Sequence, residues 1–294
     1  MLKLTGISHS YGKQPVLKDV SLTLQPHQRI ALMGPSGVGK TTLLRVALGL
    51  LRPQKGKVEN RFSKTAAVFQ EPRLLPWRTA AENVNLILGD TPETLTKARQ
   101  HLSALGLEDA ADKYPRELSG GMQQRVGFAR ALANDPQIML MDEPFGALDP
   151  LIRQQMQNEL LEIQAKMKKT IVFITHDIDE AFRLGNHVAI MKDGIIHQCG
   201  TPREIMLNPA TDYVKRFVQG VNRLRFVKAS DIVTAECEHT SKNIPAVNGE
   251  VTLHQVIPFF ENSDTVAVTD AEGNVAGYIS KDAFLREIQA ESKE

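Results

Sequence analysis

The sequence predicts an α/β fold: a mainly parallel sheet covered by helices on both faces, followed by a smaller α+β unit. Three observations carry this expectation. Short apolar runs of strand length alternate with helix-length amphipathic stretches, and that order builds a parallel sheet. A glycine-rich loop, residues 34–41, joins one apolar run to a helix pattern. Near Gly220 the pattern changes, and residues 221–294 hold a short unit of their own. A chain of 294 residues suits one large and one small domain.

The elements follow in order. Leu2, Leu4 and Ile7 open the first strand, which ends at the turn Tyr11-Gly12-Lys13. Residues 20–24 alternate apolar and polar, the period of a half-buried strand. Arg29–Met33 is a short apolar run, and a helical pattern over 40–50 follows the glycine loop until Pro53 and Gly56. Helices are expected over 92–106 and 119–134. Residues 137–141 and 170–175 read as buried strands, with a long amphipathic stretch over 151–167 between them. In the tail, a helix over 253–260 leads to strands over 265–268 and 275–279 joined by a turn at 270–274. A last helix covers 281–289.

Composition is that of an ordinary globular chain, 42% hydrophobic and 23% charged. The formal net charge of +1 supplies no strong field toward nucleic acid or anionic lipid. Cys199 and Cys237 are the two cysteines, too few for a disulfide framework or a four-cysteine metal site. The first residues form no basic n-region followed by a long apolar stretch. Apolar runs such as 171–175 are far shorter than the ~20 residues of a membrane helix. The expectation is a soluble, cytoplasmic chain that reaches a membrane only through a partner.

Gly34-Pro35-Ser36-Gly37-Val38-Gly39-Lys40-Thr41 fits G-x-x-x-x-G-K-[ST] at every fixed position. Glycines let backbone N–H groups turn inward around phosphate oxygens, and the following helix presents its positive end. Lys40 is expected on the β- and γ-phosphates of ATP and the Thr41 hydroxyl on Mg2+. Residues 138–143 form an apolar strand ending in Asp142-Glu143, and carboxylates at that end of a parallel strand face the ligand crevice. Asp142 is expected to hold Mg2+ through water, and Glu143 to act as general base on the attacking water. Ser119 is a natural N-cap for the helix after Leu118-Ser119-Gly120-Gly121-Met122-Gln123-Gln124, and its glycines leave backbone N–H groups free for an anion.

The P-loop, the Leu-Ser-Gly-Gly-x-Gln-Gln run, the Asp142-Glu143 strand end and the later His176 together resemble the ATP-binding subunit of ABC transporters. The likeness covers residues 1 to about 220. It implies a P-loop NTPase fold with an antiparallel β subdomain and a helical subdomain at about 71–135. It further implies that Tyr11 stacks on adenine and that residues 34–42, through Thr42, hold the phosphates. Gln70 would contact Mg2+ and water and move with the permease interface. Ser119, Gly120, Gly121 and Gln123 would meet the γ-phosphate held by a second copy, Ala147-Leu148-Asp149 would cross the dimer interface, and His176 would sense the γ-phosphate. Two ATP would lie head to tail between two copies, at the cytoplasmic face of the inner membrane.

The solute is drawn two ways. Gln70-Glu71-Pro72-Arg73-Leu74-Leu75-Pro76-Trp77 is similar to the loop of nitrate, sulfonate and taurine importers, and this implies permease docking near Gln70 to Thr79. Residues 149–153, 164–166, 170–176 and 208–214 resemble the glycine betaine/proline (quaternary amine) importers. Residues 228–290 look like one CBS-type βαββα unit where that family carries two, and 221–294 is expected to regulate or dimerise. Nucleotide-binding units of that kind usually place Asp three residues after a Ser or Thr, whereas Ala283 stands there after Ser280. Lys281 and Arg286 are candidates for an ionic-strength sensor. An importer of this type works with a periplasmic or surface solute-binding protein. A soluble ABC-type ATPase not coupled to transport is the alternative, but such chains carry long insertions or two ATPase halves. Ser119 stands only 78 positions after Thr41 (119 minus 41).

Overall fold

The computed structural model describes residues 1–146, 148–219, 221–234, 244–270 and 272–289. Ala147, Gly220 and Cys237 lie outside the described residues. The chain divides into two compact units, Met1–Thr201 and Pro202–Glu294.

The first unit begins with β1 (Leu2–Tyr11) and β2 (Gln14–Leu24), then β3 (Arg29–Met33) and α1 (Lys40–Ala47). β4 (Lys55–Asn60), β5 (Thr65–Val68), α2 (Ala80–Leu88), α3 (Pro92–Ser103) and α4 (Gly120–Ala133) follow. It ends with β6 (Ile138–Asp142), α5 (Pro150–Met167), β7 (Thr170–Ile174), α6 (Ile178–Leu184), β8 (His187–Lys192) and β9 (Ile195–Gly200). Two sheets result. β2-β1-β4 is antiparallel, and a six-stranded sheet runs β5-β6-β7-β3-β8-β9, parallel except for β9. Every residue of β6 and β7 is buried, as a strand covered on both faces requires. The inward residues of β1 and β2 (Leu2, Leu4, Ile7, Leu22, Leu24) join Ile30, Leu32, Leu43 and Leu140 in one core, so the two sheets share it. Between β5 and β6, helices α2, α3 and α4 pack on one another.

The sheet register decides where the chemistry meets. Leu32 of β3 pairs with Ile174 of β7, and Ile174 pairs with Asp142 of β6. Three strand ends therefore finish level, and the loops after Met33, Asp142 and Ile174 leave from one edge.

Several helices end earlier than the spacing predicts. The helix expected over 40–50 stops at Ala47, where Gly49 takes φ +73 and the Leu50 and Gly49 amides donate to Arg45 and Val46 carbonyls. This six-to-one and five-to-two closure is a Schellman cap, so the helix is finished before Pro53 and Gly56 are reached. The helix expected over 253–260 is one turn, α9 (Leu253–Val256), continued as a 3-10 helix over Ile257–Glu261. Pro258 lacks the amide that another α-turn needs.

The second unit opens with α7 (Pro202–Leu207) and α8 (Asp212–Val218). It continues with β10 (Ala246–Asn248), α9, β11 (Thr265–Thr269), β12 (Val275–Ser280) and α10 (Lys281–Gln289). Its division from the first unit lies at 201/202, ahead of the boundary expected at about 220. Arg203 in α7 pairs with Asp231 at 2.7 Å, which ties this helix to the tail. β10 is parallel to β11, and β11 is antiparallel to β12, in β-α-β-β-α order. Phe260 and Phe284 pack at 4.9 Å between ring centroids. Ser280 caps α10, its hydroxyl accepting from the Ala283 amide at 3.1 Å.

Candidate nucleotide site

The loop after β3 is held open by two glycines that no other residue replaces. Gly34 has φ +144, and a Cβ there would lie 2.2 Å from the Met191 carbonyl oxygen. Gly39 has φ +108, and its Cβ would lie 2.9 Å from the Val16 carbonyl oxygen. Both are forced by backbone, in conformations where side chains are strained. Pro35, Ser36 and Gly37 are exposed at the tip, Val38 packs against the core, and Thr42 is buried on α1.

Lys40 is 5% exposed, and its ammonium donates to the Gly34 and Pro35 carbonyls at 2.7 and 2.8 Å. Burial holds its pKa below the ordinary lysine value, against the opposing pull of Glu143 and Asp142. The Thr41 hydroxyl donates to Asp142 Oδ1 at 3.2 Å. Burial is also the largest influence on Asp142 and raises its pKa, while the Thr41 hydrogen bond lowers it. Two hard oxygens this close suit Mg2+, which binds through one or two protein oxygens plus substrate phosphates. The residues present therefore fit the ion.

Glu143 follows the strand in the left-handed region, φ +46, a cost of order 1 kcal/mol or more for a non-glycine residue. Its amide donates to the Ile174 carbonyl at 3.2 Å, tying the β6 end to the β7 end. Its carboxylate Oε1 meets His176 Nε2. The two residues assigned to catalysis are thus brought together, across 33 positions (176 minus 143).

Other expected residues are placed separately. Tyr11 is 49% exposed at the end of β1, edge-on to His9 at 5.0 Å. Gln70 is exposed. Ser119 and Gly120 are exposed at the start of α4, where the Ser119 hydroxyl accepts from the Met122 amide at 3.2 Å. Gln123 turns its amide back into its own unit, donating to the Pro115 and Leu118 carbonyls at 2.9 and 3.2 Å.

Four polar residues, buried Asn83, Gln124 and Glu180 and half-buried Arg130, make contacts that motif reading does not assign. Gln124, 2% exposed, donates to the Phe69 carbonyl at 3.3 Å and the Pro144 carbonyl at 3.1 Å. Arg130 donates to the Pro72 and Arg73 carbonyls at 2.6 and 3.0 Å. Asn83, fully buried, accepts from the Leu75 amide at 2.8 Å and donates to the Leu75, Arg78 and Thr79 carbonyls. Glu180 accepts from the Thr175 hydroxyl, next to His176, and from Gln157 at 3.2 Å. The available signal is a polar residue at a position whose helical neighbours are apolar.

Residues 17–146 match the family described as ABC transporter. The chain is 37% identical to the trimethylamine N-oxide transport system ATP-binding protein TmoW of Pelagibacter ubique, covering 94% of this chain and 87% of that protein. It is 44% identical to the glycine betaine/proline betaine transport system ATP-binding protein ProV of Escherichia coli, covering 79% of this chain but 62% of ProV. Among solved structures it resembles the dimeric, post-hydrolysis ATP-binding cassette MJ0796 bound to ADP and Pi, with TM-score 0.64 and 33% identity. That likeness covers 68% of this chain and 98% of that one. With the glycine cradle, the buried lysine and the level strand ends, these likenesses place the protein: the chain belongs to the ABC transporter family, as an ATP-binding ATPase chain.

Proposed function

We propose that this chain powers import of a quaternary amine or related methylated amine, such as glycine betaine or trimethylamine N-oxide, through a membrane permease. The observation that carries the chemistry is the convergence of Lys40, Thr41, Asp142, Glu143 and His176 at one sheet edge. The solute reading rests on the names of the relatives, which favour amines over the nitrate, sulfonate and taurine group suggested by residues 70–77.

In this reading the backbone of residues 34–39 and Lys40 hold the phosphates of ATP, and Tyr11 stacks on adenine. Thr41 and Asp142, with Gln70, hold Mg2+, which when bound supplies charge neutralisation at the β- and γ-phosphates. Glu143 takes the proton of the attacking water, and His176 orients Glu143 and contacts the γ-phosphate. Ser119, Gly120 and Gly121 of a second copy complete the site, because in one chain Ser119 and Gly120 face solvent. The exposed Trp77 (71%), beside half-buried Leu74 and Leu75, supports permease docking near Gln70 to Thr79. No helix of the described residues is long and apolar enough to cross a membrane, so the route for solute belongs to that partner. The tail is assigned regulation or pairing between copies as a CBS-like unit.

The test is uptake of labelled glycine betaine, trimethylamine N-oxide, nitrate and taurine by vesicles holding the chain with the permease and receptor from neighbouring reading frames. ATP-dependent uptake of an amine is the expected result. Uptake of nitrate or taurine alone would reassign the solute. ATP turnover with no permease association would return the chain to a soluble ATPase.

A further inference from the structure

One face of α4 carries a set of contacts that the nucleotide chemistry leaves unused. Positions 124, 127 and 130 recur every three residues and so share a helix face. All three meet the segment between β5 and α2. Gln124 bonds the carbonyl of Phe69, the residue before Gln70. Gly127 lies against Pro72, near enough that a Cβ on it would make an ordinary contact with the Pro72 side chain at 3.4 Å. Arg130 bonds two successive carbonyls, Pro72 and Arg73. Arg73 itself stands at φ +48, and its guanidinium lies over the Phe69 ring at 4.8 Å.

The energetics argue that this arrangement is specified. Burial holds the Arg130 guanidinium below its ordinary pKa, and its hydrogen bonds go to carbonyls. A desolvated cation without a carboxylate partner costs stability, as does a left-handed arginine. Gln124 also leaves its Oε1 buried without a partner, while its one NH2 group serves both Phe69 and Pro144. Pro144 directly follows Glu143. One helix therefore holds both the stem of the Gln70 loop and the Glu143 turn, while its own start carries Ser119–Gly121.

We propose that Arg130 and Gln124 are positioning residues, clamping the stem of the Gln70 loop and the Glu143 turn to the helix that presents Ser119–Gly121. The inference rests on the ATPase reading above and deepens it. Neither side chain touches nucleotide in that reading. Both act by fixing where Gln70 and Glu143 stand relative to the second copy's half of the site.

The experiment uses the full chain and the variants Arg130→Gln, Gln124→Leu and their combination, with Arg130→Lys as a milder variant. Steady-state ATP turnover, melting temperature and hydrogen exchange of the 73–79 amides are measured on each. A positioning role lowers kcat at least about tenfold, toward the roughly hundredfold that an ångström-scale misplacement costs. KM for ATP then stays within about twofold, because ground-state binding is untouched. The double variant is no worse than the poorer single one, since a clamp fails as a unit. Exchange at 73–79 rises in every variant, less in Arg130→Lys, which keeps the charge but not the two-carbonyl fork. Unchanged kcat with a lowered melting temperature would reduce both residues to structural ones and overturn the proposal. So would unchanged exchange at 73–79, a readout that stands even if a variant or the wild type turns over no ATP. Absence of turnover in the wild type would strike the ATPase reading instead.

Discussion

Replacing Lys40 by Met separates what this lysine does for the fold from what it does for ATP. In the chain without nucleotide, the ammonium gains two charge-assisted hydrogen bonds to loop carbonyls, each about 1.5–3 kcal/mol. Against this stands its removal from water, an effective cost of several kcal/mol for a buried ion. The direction of its pKa decides the balance. Burial lowers it despite Glu143 and Asp142, so the folded chain disfavours the charged form overall. Met has a similar length, fills the space and carries no charge to desolvate. The expected nucleotide-free stability is therefore no lower in the variant than in the wild type, read as an equal or higher melting temperature. With MgATP the sign reverses. The variant loses the charge-assisted contacts to phosphate, about 2–4 kcal/mol, or about 30- to 1,000-fold in affinity. Thermal unfolding with and without MgATP reads both quantities on one sample. A nucleotide-free melting temperature lowered by about 5 °C or more would refute the reasoning, because Lys40 would then be holding the loop together.

Three further outcomes follow from named contacts. Asn83→Ala removes the partner of the half-buried Leu75 amide and of the Arg78 carbonyl, for about 1–3 kcal/mol of local stability. Faster hydrogen exchange over 75–79 is the expected readout, and unchanged exchange would count against the assignment. Glu180 has its pKa raised, chiefly by burial, so its contribution to stability is present below the unfolded value and lost as pH rises through the folded one. Glu180→Gln should therefore flatten the fall of melting temperature with pH from about pH 4.3 upward; an unaltered profile would remove Glu180 as the titrating group, leaving Asp142, which shifts in the same direction. Finally, Lys40→Met and Ser119→Arg chains, each inactive alone, should regain up to about a quarter of wild-type turnover on equal mixing, since half the dimers are mixed and each has one intact site. No recovery after verified subunit exchange would argue against sites shared between copies.

Much of the nucleotide site is legible in the sequence because its parts are local. The 34–41 loop needs glycine where backbone oxygens of other segments crowd it, and those glycines are visible as letters. The wholly apolar Ile138–Met141 run ending in Asp142 declares a strand covered on both faces with its acid at the tip. Capping is equally local: Ser119, Thr211 and Ser280 all cap the helices that follow them. Helix ends are less legible. The Schellman closure at Gly49 and the 3-10 continuation at Pro258 depend on which of several breakers acts first. The partners of the inward polar residues were not legible, even where the residue itself, as Gln124, stands in a quoted run. Nothing adjacent to Asn83, Gln124, Arg130 or Glu180 marks them as partners of carbonyls and hydroxyls up to 58 positions away.

The sequence by itself determined the phosphate loop, the strand-end acids and the order of the elements, because each is set by residue type within a few positions. Tertiary structure alone decided that they meet. The register Leu32–Ile174–Asp142 levels three strand ends drawn from distant parts of the chain. It thereby sets Thr41 against Asp142 and Glu143 against His176. Pairing register is a property of whole strands and of the core beneath them, so no local stretch of residues encodes it.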